Sequence, residues 1–191
     1  MFATTLGADG AELRPLEPWQ AEEYLAHIER GREHIGRYIA LAAAAEDLAS
    51  ARAYLQLYAN RTAADTGRIF GVWLAGALVG GVVFRFMDVP RGICEAVCWL
   101  EPSVTGRGLI TRAGRVCLDW AFLERKVHRV ECRIPSANTP SINVAKRLGM
   151  ARDGVLRESH LWNGVRHDME VWSVLAPEWR ELRVRRGVGH P

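Results

Sequence analysis

The chain has 191 residues and a net charge of +3, with 49% hydrophobic and 25% charged residues, a balance that fits a globular protein with one well-buried core. A charge this small makes no case by itself for nucleic-acid binding, and no run approaches the roughly 18 apolar residues of a membrane span. The N-terminus lacks a basic region followed by an apolar core, so no secretory signal is expected.

Residues 1–11 read as a flexible leader, followed by a short strand at Glu12–Leu16. Pro18 to about Arg30 reads as a helix, with Trp19, Tyr24, Leu25 and Ile28 near one side. The alanine run 42–45 is compatible with helix or compact linker. Glu46–Arg61 reads as a second helix on the spacing of Leu48, Ala51, Leu55 and Tyr58. Arg68–Leu74 and Leu78–Phe86 are strands joined at Ala75-Gly76-Ala77, a hairpin signal, and Ile93–Leu100 is the next strand. A helix from about Gly108 to Lys126 precedes the strand Val127–Ile134. The short helix Pro140–Leu148 leads to strands Val155–Trp162 and Asp168–Leu175, with Asn163-Gly164 as a turn signal between them. Residues 180–191 are basic and read as a solvated tail. Cys94, Cys98, Cys117 and Cys132 form no Cys-x-x-Cys pair and lie in apolar surroundings, so buried free thiols and a reduced, cytoplasmic protein are expected.

Two segments carry chemistry. In Pro102-Ser-Val-Thr-Gly-Arg-Gly108, two glycines sit between an apolar strand and an amphipathic helix that shows Leu109, Ala113, Val116, Cys117 and Trp120. Glycines at a helix N-terminus let several N–H groups converge where the helix dipole favours an anion. An ordinary strand-to-helix turn is the plain alternative. In residues 130–150 a period-two strand is followed by Asn138-Thr-Pro-Ser141, with Pro140 suited to a first helical turn and Gly149 to a helix stop.

Taken in order, this arrangement resembles the GNAT N-acetyltransferases, most closely the ribosomal-protein (RimJ/RimL-type) branch. That branch carries Tyr-Trp-Leu, Pro-x-x-x-Gly-x-Gly, Asn-x-x-Ser, Leu-Gly-Phe and Glu-Gly-x-Leu-Arg. Here these stand as Cys98-Trp99-Leu100, Pro102 to Gly108, Asn138 to Ser141, Leu148-Gly149-Met150 and Asp153-Gly154-Val155-Leu156-Arg157. The likeness spans residues 12–179, the expected single domain between leader and tail. It implies an α/β (α+β) GNAT fold: a mixed, mostly antiparallel sheet of about six to seven strands flanked by about four helices.

The resemblance further implies acetyl-CoA as acyl donor and a primary amine as acceptor, either a protein N-terminus or a small molecule. Gly106, Arg107 and Gly108 would receive the diphosphate, helped by Thr105, Arg112 and the helix start at Leu109, Ile110 and Thr111. Trp99 and Leu100 end the strand whose backbone N–H polarises the thioester in GNAT enzymes, and Asn138 and Asn143 would touch the cofactor arm. Ser141 is the candidate proton donor to the leaving sulfur, with helix capping as its other reading. For the base, strand alternation puts Glu158, His160 and Trp162 on one face, and residues two apart on a strand are roughly 6.5–7 Å apart, so Glu158 and His160 form a candidate pair. Relatives often have Glu where His160 stands, and imidazole titrates near neutrality; an exposed strand-face histidine is the plain reading. For His167 and Asp168 loop polarity is the favoured reading. Ser103 stands where many GNAT proteins carry Gln or Arg. Membrane contact and dedicated nucleic-acid binding are not expected, and a homodimer is an admissible assembly. The rival readings are a non-catalytic acyl-CoA-binding domain and an acyltransferase with another acyl donor.

Overall fold

The structure is a computed structural model and describes residues 3–187. Eight strands form one sheet in the order β1-β2-β3-β4-β5-β6-β8-β7. They are β1 (Thr4–Thr5), β2 (Glu12–Pro15), β3 (Arg68–Leu74), β4 (Ala77–Asp88), β5 (Ile93–Leu100), β6 (Arg129–Pro135), β7 (Ala151–Trp162) and β8 (Val165–Leu175). The helices are α1 (Ala21–Gly36), α2 (Leu48–Ala63), α3 (Leu109–Asp119), α4 (Thr139–Leu148) and α5 (Ala176–Arg185). Every neighbouring pair is antiparallel except β5–β6, so the sheet is mixed as expected, with more strands and helices than the sequence suggests.

Strand alternation feeds two apolar layers. On one face Leu16, Ile69, Trp73, Leu78, Val83 and Trp99 pack with Tyr24, Ile28, Leu55 and Tyr58 of α1 and α2. On the other, Leu13, Phe70, Val72, Phe84, Cys94, Val130 and Val174 pack with α3 and with Trp179 of α5. The strongly amphipathic α3 passes into a π-helical turn at Trp120–Glu124, closed by the Arg125 N–H on the Trp120 carbonyl at 3.0 Å. None of the four cysteines is disulfide-bonded, and burial pushes the Cys94 thiol up to about 12 and Cys98 to about 11.

Several expectations need correction. From residue 3 onward the expected flexible leader forms β1 and a turn, because Leu6 and Ala11 are buried and the Leu6 N–H donates to the Ala11 carbonyl at 2.7 Å, while residues 1–2 of that leader lie outside the described residues. Trp19 is 79% exposed, since it sits in a 3-10 turn ahead of α1. The buried stripe of α1 is Ala21, Tyr24, His27, Ile28, Gly31 and Ile35. The alanine run is a turn-rich linker, with Leu41, Ala42 and Ala45 buried. The start of the presumed tail belongs to α5, which is anchored at the end of α3: Trp179 Nε1 donates to Asp119 Oδ1 at 2.8 Å and Arg183 Nε lies 2.7 Å from the same oxygen. Residues 188–191 of that expected tail lie outside the described residues. Among the described residues no helix is long and apolar enough to cross a membrane.

The β1–β2 turn is held to α3 by a fork of two hydrogen bonds. Arg112 donates to Asp9 Oδ1 at 2.9 Å and to Oδ2 at 2.7 Å, and this guanidinium holds the Asp9 carboxyl at about 2 against an ordinary 3.8. A depressed carboxyl pKa means the clip is complete above the unfolded value and is lost as pH falls through the folded one. Asp9→Asn should therefore speed deuterium exchange of the Leu6 amide at neutral pH, and wild type should show the same speeding only below about pH 4. Amide exchange followed by NMR checks both.

Candidate active site

The site is built around a place where the sheet comes apart. β5 and β6 pair in parallel only at Ile93↔Arg129, Cys94↔Val130 and Glu95↔Glu131. Beyond that, β5 stays paired with β4 as far as Leu100, while β6 pairs with β8 as far as Pro135. The second half of β5 thus has one open edge, whose polar backbone groups need partners. The Glu101 N–H donates to the Val79 carbonyl at 2.8 Å. Because backbone direction alternates along an antiparallel strand, the N–H groups of Leu100 and Cys98 point the other way, into the opening.

The glycine loop follows directly. Gly106 and Gly108 have φ of +78° and +70°, a region that side chains rarely adopt, and a Cβ at either position would meet open space. Glycine is present for its backbone conformation and leaves an unfilled cradle. Gly108 is the N-cap of α3, and the first helical bond runs from the Arg112 N–H to the Gly108 carbonyl at 3.0 Å. The N–H groups ahead of it have no place in the helical ladder and carry the positive end of its dipole. The donor set and the empty space fit an anionic diphosphate.

Side chains around the loop divide by task. Leu109 and Ile110 are buried and pin α3 to the core, so only their backbone can serve a ligand. Thr105 donates to the Pro102 carbonyl at 2.9 Å. Thr111 is buried and accepts from Arg147 Nε at 3.3 Å, which assigns its hydroxyl to helix packing. Arg112 is committed to Asp9, leaving half-exposed Arg107, 3.9 Å from the same carboxylate, as the cation at the loop.

Across the opening, Asn138 caps α4: its Oδ1 accepts the Ser141 N–H at 3.3 Å. Capping therefore belongs to Asn138, and the Ser141 hydroxyl is not needed for it. Asn143 is exposed and lines a groove between α4 and the β7–β8 ribbon with Lys146, Arg152, Glu170 and Trp172.

The expected Glu158/His160 pair loses its geometric basis. Leu156 pairs with Met169 and His160 with His167, so β7 contains two residues more than β8 over this stretch. Such a bulge breaks the alternation on which a shared face depends. Glu158 has φ of +50°, and its backbone is held by Asp168 Oδ1 at 2.8 Å on the N–H and by Arg166 at 3.2 Å on the carbonyl. His160 and Trp162, past the bulge, do share a face, with rings stacked at 6.1 Å; His167 lies 6.5 Å from His160. Trp162 Nε1 donates to the Gly36 carbonyl at 3.0 Å and the Tyr38 hydroxyl to the Ala137 carbonyl at 3.2 Å, tying the ribbon and the α4 entry to the end of α1.

Sequence reasoning missed a buried polar network at the end of β5. His27, wholly buried, receives the Trp99 indole N–H on Nε2 at 2.9 Å, and its Nδ1 lies 2.7 Å from Glu101 Oε1. Arg30 Nε donates to the same oxygen at 2.9 Å, and the Ser103 hydroxyl to Glu101 Oε2 at 3.3 Å. Burial raises the Glu101 carboxyl, but hydrogen bonds from Arg30 and His27 outweigh it and hold it below the usual range. Burial depresses His27 despite Glu101. A side chain at Gly81 would strike the Trp99 ring, and one at Gly80 the β5 backbone. Paired glycines inside a strand were the available sequence signal.

A family described as an acetyltransferase (GNAT) domain matches residues 11–151. The chain belongs to the GNAT acetyltransferase family. It is 29% identical over 174 residues to "Probable N-acetyltransferase YjcK" of Bacillus subtilis, covering 87% of this chain and 94% of that protein. It is 27% identical over 175 residues to "Putative ribosomal N-acetyltransferase YdaF" of the same organism, covering 87% and 92%. The structure of RimL, a ribosomal L7/L12 α-N-protein acetyltransferase in complex with coenzyme A, superposes with a TM-score of 0.85 at 14% identity over 91% of this chain and 97% of that one, a likeness of fold. The relatives agree with the RimJ/RimL-type branch.

Removing the α4 cap should be felt in stability. Asn138→Ala is expected to cost about 1 kcal/mol, and Asn138→Asp, which keeps an acceptor, much less. Urea unfolding of the two variants measures the difference.

Proposed function

We propose that this protein transfers the acetyl group of acetyl-CoA to a primary amine by direct attack within a ternary complex. The observation that carries the reading is the opening between β5 and β6, which runs from the free Leu100 N–H to the glycine cradle at the start of α3. Acetyl-CoA supplies a thioester, which the amine attacks. The backbone N–H groups of residues 106–110 hold the diphosphate, with Arg107 adding charge. The Leu100 N–H donates to the thioester oxygen as it gains charge. Asn138, its Oδ1 engaged in the cap, offers its amide N–H to the cofactor arm.

Ser141 gives its proton to the departing sulfur, and His160 takes the proton from the amine. Stacking on Trp162 fixes the plane of that imidazole, while Glu158, in the bulge, serves the approach of a cationic acceptor. The name of YdaF and the acceptor stated for RimL support a protein N-terminal α-amine, and small amines form the alternative acceptor class.

Thiol release from acetyl-CoA, screened against peptide N-termini and a panel of small amines, tests the reaction. Release that depends on an amine is expected; tight acetyl-CoA binding with no release under any amine would leave a binding domain instead. Gly108→Asp places bulk and negative charge in the cradle and should weaken acetyl-CoA binding at least about tenfold by calorimetry. Ser141→Ala should lower kcat by roughly tenfold to ten-thousandfold with little change in acetyl-CoA affinity. Unchanged kcat would remove Ser141 from the chemistry.

A further inference from the structure

Trp99 and Glu101 lie two positions apart on one strand end and point to the same side. One imidazole holds both. The Nε2 atom of His27 accepts the Trp99 indole N–H and so bears no proton, because an indole nitrogen only donates. The ring proton therefore sits on Nδ1 and is donated to Glu101 Oε1 at 2.7 Å. Arg30 completes the arrangement, bonding the same carboxylate and, through its other nitrogen, the Leu78 carbonyl of β4 at 2.7 Å. His27 is wholly buried with both ring nitrogens engaged. It has no route for exchanging protons with a substrate.

Leu100 is the residue between the two clasped side chains, and its N–H is the group that faces the opening. We propose that His27 is a positioning residue for acyl transfer: by bridging Trp99 and Glu101 it fixes the peptide that presents the Leu100 N–H to the thioester oxygen. This inference rests on the acetyl-transfer reading above. The open edge of β5 explains why such a device is needed. At Leu100 the strand has β4 on one side and no strand on the other, so the sheet alone restrains that N–H on one edge only. A preorganised donor acts only if it is already in place when charge develops, and a misplacement of about 1 Å is enough to lose much of the effect. Histidine suits the task because a neutral imidazole accepts at one ring atom and donates at the other. An apolar residue would leave the indole N–H and one carboxylate bond unmet inside the core.

The test compares His27→Leu, His27→Gln and Trp99→Phe in the full chain. Glutamine offers a carbonyl to the indole and an amide N–H to the carboxylate, so it can restore the bridge; Trp99→Phe removes only the indole bond. In His27→Leu, kcat should fall about ten- to hundredfold, while the acetyl-CoA Kd stays within about twofold. His27→Gln should recover most of the loss, and Trp99→Phe should fall between. The second readout needs no turnover: in 15N-labelled protein the Leu100 amide resonance should move in His27→Leu, return towards its wild-type position in His27→Gln, and respond less to added acetyl-CoA in the leucine variant. Unchanged kcat and an unmoved Leu100 amide in folded His27→Leu would overturn the role, as would a loss of kcat that merely follows the unfolded fraction. If His27→Leu does not fold, Trp99→Phe is judged by the same two measurements. A wild-type chain that releases no thiol with any amine overturns the acetyl-transfer reading; the Leu100 amide then still decides whether His27 positions that peptide.

Discussion

The structure depends on one interrupted strand pairing. β5 and β6 bond over three residues and then separate, which leaves the second half of a central strand with unpaired backbone in the middle of the molecule. An interior edge of this kind is costly unless its polar groups find a partner. Much of what surrounds it restrains β5 from its remaining sides: the tight β4 contact allowed by Gly80 and Gly81, the His27 bridge from α1, and the loop that turns sharply into α3. The opening is therefore a formed feature of the sheet, with its walls fixed by packing.

The glycine turn at α3 and the β7–β8 ribbon are made of different material. At the α3 start the groups on offer are main-chain N–H groups, arranged by two left-handed glycines at the positive end of the helix dipole. On the β7–β8 ribbon side chains dominate, with His160 stacked on Trp162, whose indole N–H is tied to α1 through the Gly36 carbonyl. The β1–β2 turn contributes indirectly. By occupying Arg112, Asp9 fixes the first turn of α3 and leaves Arg107 as the cation nearest the cradle.

What the sequence made legible was mostly local. The Gly106–Gly108 turn, the helix stop at Gly149 and the Asn163-Gly164 hairpin announce themselves within a few residues, because each follows from local backbone conformation. The family motifs added order and spacing, and with them the fold. Features that depend on a distant partner were not legible. The bulge in β7 exists only relative to β8, so counting along β7 alone gave Glu158 and His160 a shared face from an alternation that the register does not keep. His27 falls in the apolar stripe of α1, and nothing near it in sequence indicates Trp99 as its partner. The ends misled for a related reason: a basic composition suggested a free tail, whereas Trp179, buried against Asp119, determines that α5 docks.

The use of backbone at the α3 end bears on how such a protein can diverge. A main-chain N–H is present whatever side chain the codon specifies, so drift can erode sequence there while the donors persist, provided the two glycines keep their φ. The requirement on side chains at that end is thereby confined to the two glycines, whereas the ribbon presents side chains that any substitution would change.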